Sequence, residues 1–296
     1  MIDSTDEKSV FHRTMRIAKH NPASVFVFSK LLEYMCRDVE SYVFVANSGR
    51  CGSVTLSKIF ETVEEGISLH EPAPVMFNDY APGTDRKKYF HDLFYMRKRI
   101  YINTAARGHR HYFETNHQFV KNFIDPAVEY FGERIRVLHL VRDPVSVASS
   151  FYQVNTIPGQ REGGGVLYLI DPRESDNLIS AADLLYESKE FSHDIYKCLW
   201  YWYEVEARIK AAKLRHGWIQ FYKLKTEDLN DPGAVLKMFK SLAIEIDQAR
   251  LNAVVGVKAN TRTSEKLKSV DKAACAEMNQ KLLFQLEKRY GKDFWT

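Results

Sequence analysis

The chain has 296 residues, of which 45% are hydrophobic and 27% charged, a composition typical of folded globular proteins and not of disordered chains. The net charge is +4 and the basic residues are scattered, which does not favour a nucleic-acid-binding protein. The four cysteines are far apart and lack CxxC spacing, so we expect reduced thiols. The N-terminal residues contain no apolar signal-peptide core, and we expect a cytoplasmic protein without a membrane anchor.

The first half of the chain alternates apolar runs with amphipathic stretches. Hydrophobic periodicity, capping residues and glycines mark where these elements begin and end. We predict a partly helical lead-in over residues 1–40, a strand over Tyr42–Ala46, a helix over Ser53–Glu65 stopped by Gly66, a helix from Thr84-Asp85 to about Ala106, and a strand over His111–Phe113.

The second half continues the same alternation. One segment, residues 158–180, is rich in Gly, Pro, Asp and Ser and is predicted to be a long loop or lid. The other predicted elements are a strand over Ile135–Val141, a helix opened by Asp143 and Pro144, a helix over Ser192–Leu214, a strand over Trp218–Tyr222, a helix after Asp231-Pro232, and a helix over Asp271–Tyr290 ended by Gly291.

Strands that alternate with helices predict an α/β fold, a central and mostly parallel sheet flanked by helices. We treat residues 1–296 as one domain. In such sheets, ligands bind at the carboxyl ends of the strands. Two marked loops, residues 47–53 and 142–144, fall at such ends.

The first loop, Asn47-Ser-Gly-Arg-Cys-Gly-Ser53, joins a buried strand to a helix. Its two glycines allow a close approach of the backbone to a ligand. The amides of residues 51–55 open the helix and favour an anion, and Arg50 adds a charge and two-pronged donors. The alternative is a plain Gly-containing turn with one surface arginine.

The second loop follows the strand that ends in Leu140-Val-Arg-Asp-Pro144. Arg142 lies just past the strand, and Ser150 follows eight residues later, about two helical turns on. Both can reach one ligand that lies along the flank of the helix. The alternative is that Arg142 pairs with a neighbouring acid and Ser150 is an ordinary helix residue.

Together, the segments Asn47–Thr55 and Leu140–Tyr152 resemble the two signature motifs of PAPS-dependent sulfotransferases, enzymes with a P-loop type nucleotide-binding fold. The resemblance implies that the first loop binds the 5′-phosphosulfate of 3′-phosphoadenylyl sulfate (PAPS), and that Arg142 and Ser150 bind its 3′-phosphate. It assigns the first role to Arg50, Cys51, Gly52, Ser53, Val54 and Thr55. A looser match suggests that Arg262 and Lys266 close over the nucleotide.

The sequence also departs from the family pattern. Val54 removes one hydroxyl contact, although the backbone amides remain. Phe221–Pro232 is similar to the family segment near the adenine, but Thr226 stands where many members have Tyr. No Trp follows the first loop, so the residues that stack on the adenine are not identified.

A hydroxyl acceptor needs a general base. By resemblance, His117 is the first candidate, Glu71 the second and Glu114 the third, while Arg50 stabilises charge on the transferring group. A structural role is the alternative for each: a cap or packed ring for the histidine, an ion pair for the carboxylates. No metal-ligand cluster is evident, and the resemblance implies no metal ion.

The resemblance therefore implies a sulfotransferase that uses PAPS as co-substrate and a small-molecule hydroxyl or amine as acceptor, with neither nucleic acid nor membrane as partner. The acceptor is not identified, and a homodimer remains open. Two alternatives are a P-loop kinase-type phosphotransferase, which would need a Lys before Ser53 and a metal-binding Asp, and a non-catalytic sulfotransferase-like binding protein.

Overall fold

The computed structural model describes residues 22–81, 83–256 and 268–295. Its centre is a five-stranded sheet with the strand order β2-β3-β1-β4-β5, in which every neighbouring pair is parallel. The predicted α/β fold is confirmed. The strands are β1 Ser41–Ala46, β2 Gly66–His70, β3 His111–Thr115, β4 Ile135–Val141 and β5 Phe221–Lys225.

Helices cover the sheet and connect its strands. None of those in the described ranges combines the length and the apolar character needed to cross a membrane. A π-helical turn, Phe94–Lys98, joins α3 to α4, and a second, Phe119–Phe123, leads into α5. The α-helices are α1 Pro22–Met35, α2 Ser53–Phe60, α3 Arg86–Leu93, α4 Arg99–Ala106, α5 Ile124–Phe131, α6 Pro144–Gln153, α7 Gly165–Tyr168, α8 Asp194–Arg215, α9 Pro232–Ser241, α10 Gln248–Val254 and α11 Lys272–Tyr290.

The core is packed with aromatic rings on both faces of the sheet. Phe44 of β1 stacks on Phe119 with ring centroids 4.8 Å apart, and Phe60 of α2 stacks on Phe113 of β3 at 4.3 Å. Burial of such large side chains is the main favourable term in folding. The continuous apolar runs of β1 and β4 follow from this, because both strands lie inside the sheet with their side chains covered on two faces.

Because all five strands run in the same direction, their carboxyl ends meet at one edge of the sheet. The residues that follow the strands there are the loop 47–52 after β1, Glu71 after β2, His117 after β3, Arg142 after β4 and Thr226 after β5. Side chains that are distant in the chain are thereby brought to one place.

Two predicted boundaries are wrong. The helix predicted over Ser53–Glu65 ends at Phe60, and Gly66 opens β2 instead of stopping a helix. A β-carbon at Gly66 would lie 2.8 Å from the ring of Phe113, so the glycine allows close packing between strands. The last strand is Phe221–Lys225 instead of Trp218–Tyr222, because Trp218 lies in an exposed turn.

The segment 158–180, predicted to be a long loop or lid, has mostly irregular backbone and is packed against the core. It contains α7, and Leu169, Ile170 and Ile179 are buried in the core. The carboxylate of Glu204 on α8 accepts the backbone N–H groups of Leu178 and Ile179 at 3.1 and 2.8 Å. These contacts fix the segment as a wall of the structure.

A buried ion pair joins β3 to the π-helical turn before α4. Lys98 Nζ lies 2.7 Å from Glu114 Oε1, and both side chains are fully buried. The hydroxyl of Tyr112 and the amide of Asn116 donate to the same carboxylate at 2.7 and 2.9 Å. Every oxygen of Glu114 is thus occupied by protein groups.

We predict that Glu114→Ala lowers the free energy of unfolding by about 3–5 kcal/mol, because it leaves the Lys98 ammonium buried without a counter-charge. Urea unfolding measures the change. The exposed carboxylate Glu61 gives a matched control: Glu61→Ala should stay within about 0.5 kcal/mol of the parent. A loss below about 1 kcal/mol in Glu114→Ala would contradict the structural role of this pair.

Candidate active site

A cavity of about 630 Å³ opens at the carboxyl edge of the sheet. Its size is within the range of small-molecule and cofactor pockets. It brings together most of the site residues predicted from the sequence. The lining residues are Gly49, Arg50, Gly52, Ser53, Val54, Thr55, His70, Glu71, His117, Arg142, Ser150, Phe151, Val154, Thr156, Tyr168 and Thr226.

The first loop is shaped by residues with positive φ. Gly49, Arg50 and Gly52 have φ of 83°, 58° and 84°, and the Asn47 side chain accepts the N–H of Gly49 at 2.7 Å. The helix α2 begins at Ser53 with Gly52 as its N-cap and no capping side chain. The first amides of α2 therefore have no partner within the helix and are available to an anion in the cavity.

Cys51 points away from the cavity into the core. Its thiol donates to the carbonyl of Gly49 at 3.1 Å, and burial raises its pKa to about 11. The thiol is therefore neutral at physiological pH. Of the predicted loop contacts, Cys51 can contribute only its backbone amide.

The second loop has the predicted geometry. Asp143 caps α6 by accepting the N–H of Ser146 at 2.7 Å, and Pro144 occupies the first turn. Arg142 Nη1 donates to the carbonyl oxygen of Arg50 at 2.8 Å, and Arg50 Nε donates to Ser150 Oγ at 2.8 Å. The two loops thus meet directly, and Ser150 contacts Arg50 and lines the same cavity as Arg142.

The two guanidinium groups create an uncompensated positive charge. Their hydrogen-bond acceptors are a carbonyl and a hydroxyl, both neutral, and in the described ranges no carboxylate forms an ion pair with either. Partial desolvation and the nearby charge of Arg142 lower the pKa of Arg50, although an arginine stays protonated at physiological pH. Such a pair favours binding of an anion with more than one charge.

Thr226 connects the strand ends. Its hydroxyl lies 2.8 Å from the carbonyl oxygen of Cys51 and 3.2 Å from that of Val141. Thr226 thus holds the first loop against the end of β4. It therefore has a structural role in addition to lining the cavity.

The acid–base candidates His117 and Glu71 form a hydrogen-bonded pair. His117 Nδ1 lies 2.6 Å from Glu71 Oε1. Glu71 follows β2 with a φ of 47°, which is uncommon for a residue with a β-carbon and is typical of functional sites. The parallel register pairs His70 of β2 with Thr115 of β3. Glu71 and His117, which follow these strands, are therefore brought side by side.

The surroundings favour a neutral histidine and an ionised glutamate. Burial lowers the pKa of His117, and Lys121 adds to this effect against the opposing influence of Glu71. Burial alone would raise the pKa of Glu71, but the hydrogen bond from His117 and nearby cationic groups outweigh it, so the pKa lies below the ordinary value. At neutral pH, Glu71 is therefore ionised.

Glu114, the third candidate base, does not reach the cavity. Its carboxylate is fully buried in the ion pair with Lys98, which corrects the expectation that it could act as a base. Arg262 and Lys266 lie outside the described residues. Across residues 22–81, 83–256 and 268–295, no group of three or more His, Cys, Asp or Glu side chains is arranged to hold a metal ion.

Sequence reasoning missed part of the cavity lining. His70 immediately precedes Glu71, and Phe151 immediately follows Ser150, so both could have been inferred as neighbours of predicted residues. Val154, Thr156 and Tyr168 carry no local signal. Tyr168 lies in the segment 158–180, and the Thr156 hydroxyl donates to the carbonyl oxygen of Gly163 in the same segment at 2.9 Å.

No family model matches the chain, and no curated protein matches it in sequence. Solved structures do resemble it. A sulfotransferase from Alicyclobacillus acidocaldarius has 16% identity and a TM-score of 0.45, covering 84% of this chain and 95% of its own. The sulfotransferase domain from the curacin biosynthetic pathway has 13% identity and a TM-score of 0.46, covering 84% and 98%.

A third match, the sulfotransferase domain from the Synechococcus PCC 7002 olefin synthase, has 13% identity and a TM-score of 0.45, covering 84% of this chain and 94% of its own. Retinol dehydratase in complex with androsterone and the inactive cofactor PAP has 12% identity and a TM-score of 0.39, covering 83% and 80%.

Proposed function

We propose that this protein is a sulfotransferase that moves the sulfuryl group from PAPS to a hydroxyl or amine of a small-molecule acceptor and releases adenosine 3′,5′-bisphosphate. One observation carries the proposal. The same cavity contains Arg50 and Arg142, whose guanidinium groups have no carboxylate partner among the described residues, and an acid–base pair, Glu71 and His117.

The cationic end suits a ligand with two separate phosphate groups. The amides at the start of α2 and the side chain of Arg50 can bind one group, and Arg142 with Ser150 can bind the other. The Ser150 hydroxyl accepts a hydrogen bond from Arg50, so its own hydrogen remains available to a phosphate oxygen. This arrangement supports the assignment of the 5′-phosphosulfate and the 3′-phosphate.

The same end can stabilise the transfer. The acceptor attacks sulfur in line with the leaving 5′-phosphate, and negative charge grows on the leaving oxygen. The first amides of α2 have no partner within the helix, so they would stabilise this charge with little reorganisation. Arg50, whose Nε donates to Ser150 Oγ, adds positive charge to the same cavity. The guanidinium groups thus take the part that Mg²⁺ has in phosphoryl transfer.

The other end supports proton removal from a small acceptor. Glu71 and His117 lie at the ends of β2 and β3, in the same cavity as the loops after β1 and β4. The volume of about 630 Å³ is within the range of pockets that bind small molecules. We therefore propose a small-molecule acceptor instead of a nucleic acid.

Binding of adenosine 3′,5′-bisphosphate without magnesium tests the nucleotide assignment. We expect the melting temperature to rise with ligand concentration, because a ligand that binds only the folded state stabilises it by about 2.7 kcal/mol at 100 times its Kd. Arg50→Ala and Arg142→Ala should each weaken Kd roughly 10- to 100-fold, because each removes a hydrogen bond to a charged group. Calorimetric titration measures Kd.

Arg250→Ala is the matched control, because Arg250 is an exposed arginine on α10, and its Kd should equal that of the parent. Release of adenosine 3′,5′-bisphosphate from PAPS in the presence of a panel of acceptors then tests turnover. Stabilisation by ATP with magnesium, but not by the bisphosphate, would overturn the proposal in favour of phosphoryl transfer. Binding without any turnover across the panel would favour a non-catalytic nucleotide-binding protein.

The loop geometry also makes Gly52 essential to the proposed anion site. Its φ of 84° is in the left-handed region. A β-carbon at this position would lie 3.2 Å from Leu229 Cδ1 and 3.3 Å from Thr226 Cγ2. Any side chain at Gly52 therefore pushes the first loop away from β5 and displaces the amides at the start of α2.

We predict that Gly52→Ala lowers the free energy of unfolding by about 1 kcal/mol or more and weakens adenosine 3′,5′-bisphosphate binding at least tenfold. Gly108→Ala separates the two effects, because Gly108 has a similar φ of 82° and, within the described part of the chain, a β-carbon added there would have no heavy atom within 4 Å. This control should lose stability but keep its affinity. Equal affinities in the two variants would contradict a role of the loop amides.

A further inference from the structure

The side-chain amide of Gln118 is oriented by a backbone carbonyl. Gln118 is fully buried behind His117. Its Nε2 lies 3.0 Å from the carbonyl oxygen of Tyr168 and 3.0 Å from Nε2 of His117. A carbonyl oxygen only accepts hydrogen bonds, so the Gln118 atom beside it must be the NH₂ group. The second hydrogen of that group therefore points at His117.

The orientation is fixed a second time from the other side. The Gln118 Oε1 accepts from Asn122 Nδ2 at 3.1 Å, and the same Nδ2 donates to the carbonyl oxygen of Met76 at 2.8 Å. The Asn122 Oδ1 accepts from Nη2 of Arg86 at 2.8 Å. A guanidinium only donates, so the direction of each hydrogen bond from Arg86 to His117 is determined.

We propose that Arg86, Asn122 and Gln118 form a directed hydrogen-bond chain that fixes His117 as the neutral imidazole with its proton on Nδ1, and that Glu71 therefore takes the proton of the acceptor. This inference rests on the proposed sulfuryl transfer and assigns its base. His117 Nε2 accepts from Gln118, so the ring proton is on Nδ1, 2.6 Å from Glu71 Oε1. His117 is then a positioning residue.

The chain also opposes protonation of His117. An added proton on Nε2 would face the N–H of Gln118 and the hydrogen bond between them would be lost, whereas a hydrogen bond to the Tyr168 backbone acts in the opposite direction and raises the pKa of His117. Burial, like the loss of the Gln118 hydrogen bond, opposes protonation. The charged and titratable groups around the ring are Glu71 and His70 at the end of β2, Lys121 on the turn after His117, Arg50 and Arg142 across the cavity, and Tyr168 and Tyr201 behind it.

Every bond and proton of the proposed sulfuryl transfer is accounted for. The acceptor oxygen forms a bond to sulfur, the bond between sulfur and the 5′-phosphate oxygen breaks, and its electron pair leaves with the phosphate. The acceptor proton moves to the carboxylate of Glu71. The Glu71 side chain is 33% exposed on the cavity side, so it can pass that proton to water after the sulfated product leaves.

Nitrogen-15 NMR of the histidine rings tests the tautomer without any need for turnover. In the ligand-free protein at pH 7, we expect His117 Nδ1 to be protonated and Nε2 unprotonated, and we expect the ring to stay neutral as pH falls below the ordinary histidine value of about 6.5. His117→Asn identifies the signals. A proton on Nε2, or a ring that titrates at its ordinary value, would overturn the proposal even if the protein transfers sulfuryl groups.

Gln118→Glu tests the chain through catalysis. A carboxylate beside Nε2 accepts a proton from it, so the pKa of His117 rises and the ring is charged below that raised value. Glu71, paired with an imidazolium, then becomes a weaker base, and kcat falls at low pH and recovers as pH rises. We expect the acidic limb of the kcat profile to move up by about one pH unit or more.

Gln118→Met removes the donor without adding charge. It should lower kcat about tenfold through loss of positioning while the acidic limb stays where it is. Gln248→Glu adds the same charge at an exposed position on α10 and should leave the profile unchanged. An unshifted limb in Gln118→Glu, with NMR signals equal to those of the parent, would overturn the proposal. If no variant turns over, the NMR result still decides the tautomer, separately from the proposed function.

Discussion

The parallel alignment of the five strands is the constraint on which the site depends. The loop after β1, Glu71, His117, Arg142 and Thr226 all follow the carboxyl ends of strands and line the cavity, and only strands that run in one direction bring those ends together. Register matters as much as direction. His70 pairs with Thr115 across β2 and β3, which places Glu71 and His117 within 2.6 Å of each other. A slip of one residue would turn these side chains to opposite faces of the sheet.

The cavity combines two electrostatic environments that would interfere if they were mixed. Arg50 and Arg142 carry positive charge without a carboxylate partner in the described residues, so this end attracts an anion. At the other end, one negative charge on Glu71 is held by a neutral His117. A carboxylate nearer the arginines would neutralise the anion site and lose its basicity. Arg50 and Arg142 follow β1 and β4, whereas Glu71 and His117 follow β2 and β3. This separation preserves the positive charge of the anion site and the basicity of Glu71.

Local signals predicted the parts of the structure that local physics determines. The apolar runs of β1 and β4, the Asp143-Pro144 start of α6 and the glycines of the first loop each need only neighbouring residues to be interpreted. Long-range contacts decided the rest. Glu204 on α8 holds the end of the predicted loop through the backbone N–H groups of Leu178 and Ile179, and Lys98 pairs with Glu114 inside the core. No local sequence pattern marks Glu204 or Lys98, because such hydrogen bonds and ion pairs depend on tertiary packing.

The segment that forms this wall is connected to the acid–base pair through Arg86. Its Nη1 lies 2.9 Å from Asp176 and 3.1 Å from Glu174 in the wall, while its Nη2 orients Asn122. A donor-only group at the root of the chain gives every later amide one direction, which a serine or an amide in that place would not do. The two carboxylates of the wall therefore hold the guanidinium from which the proposed hydrogen-bond chain to His117 starts.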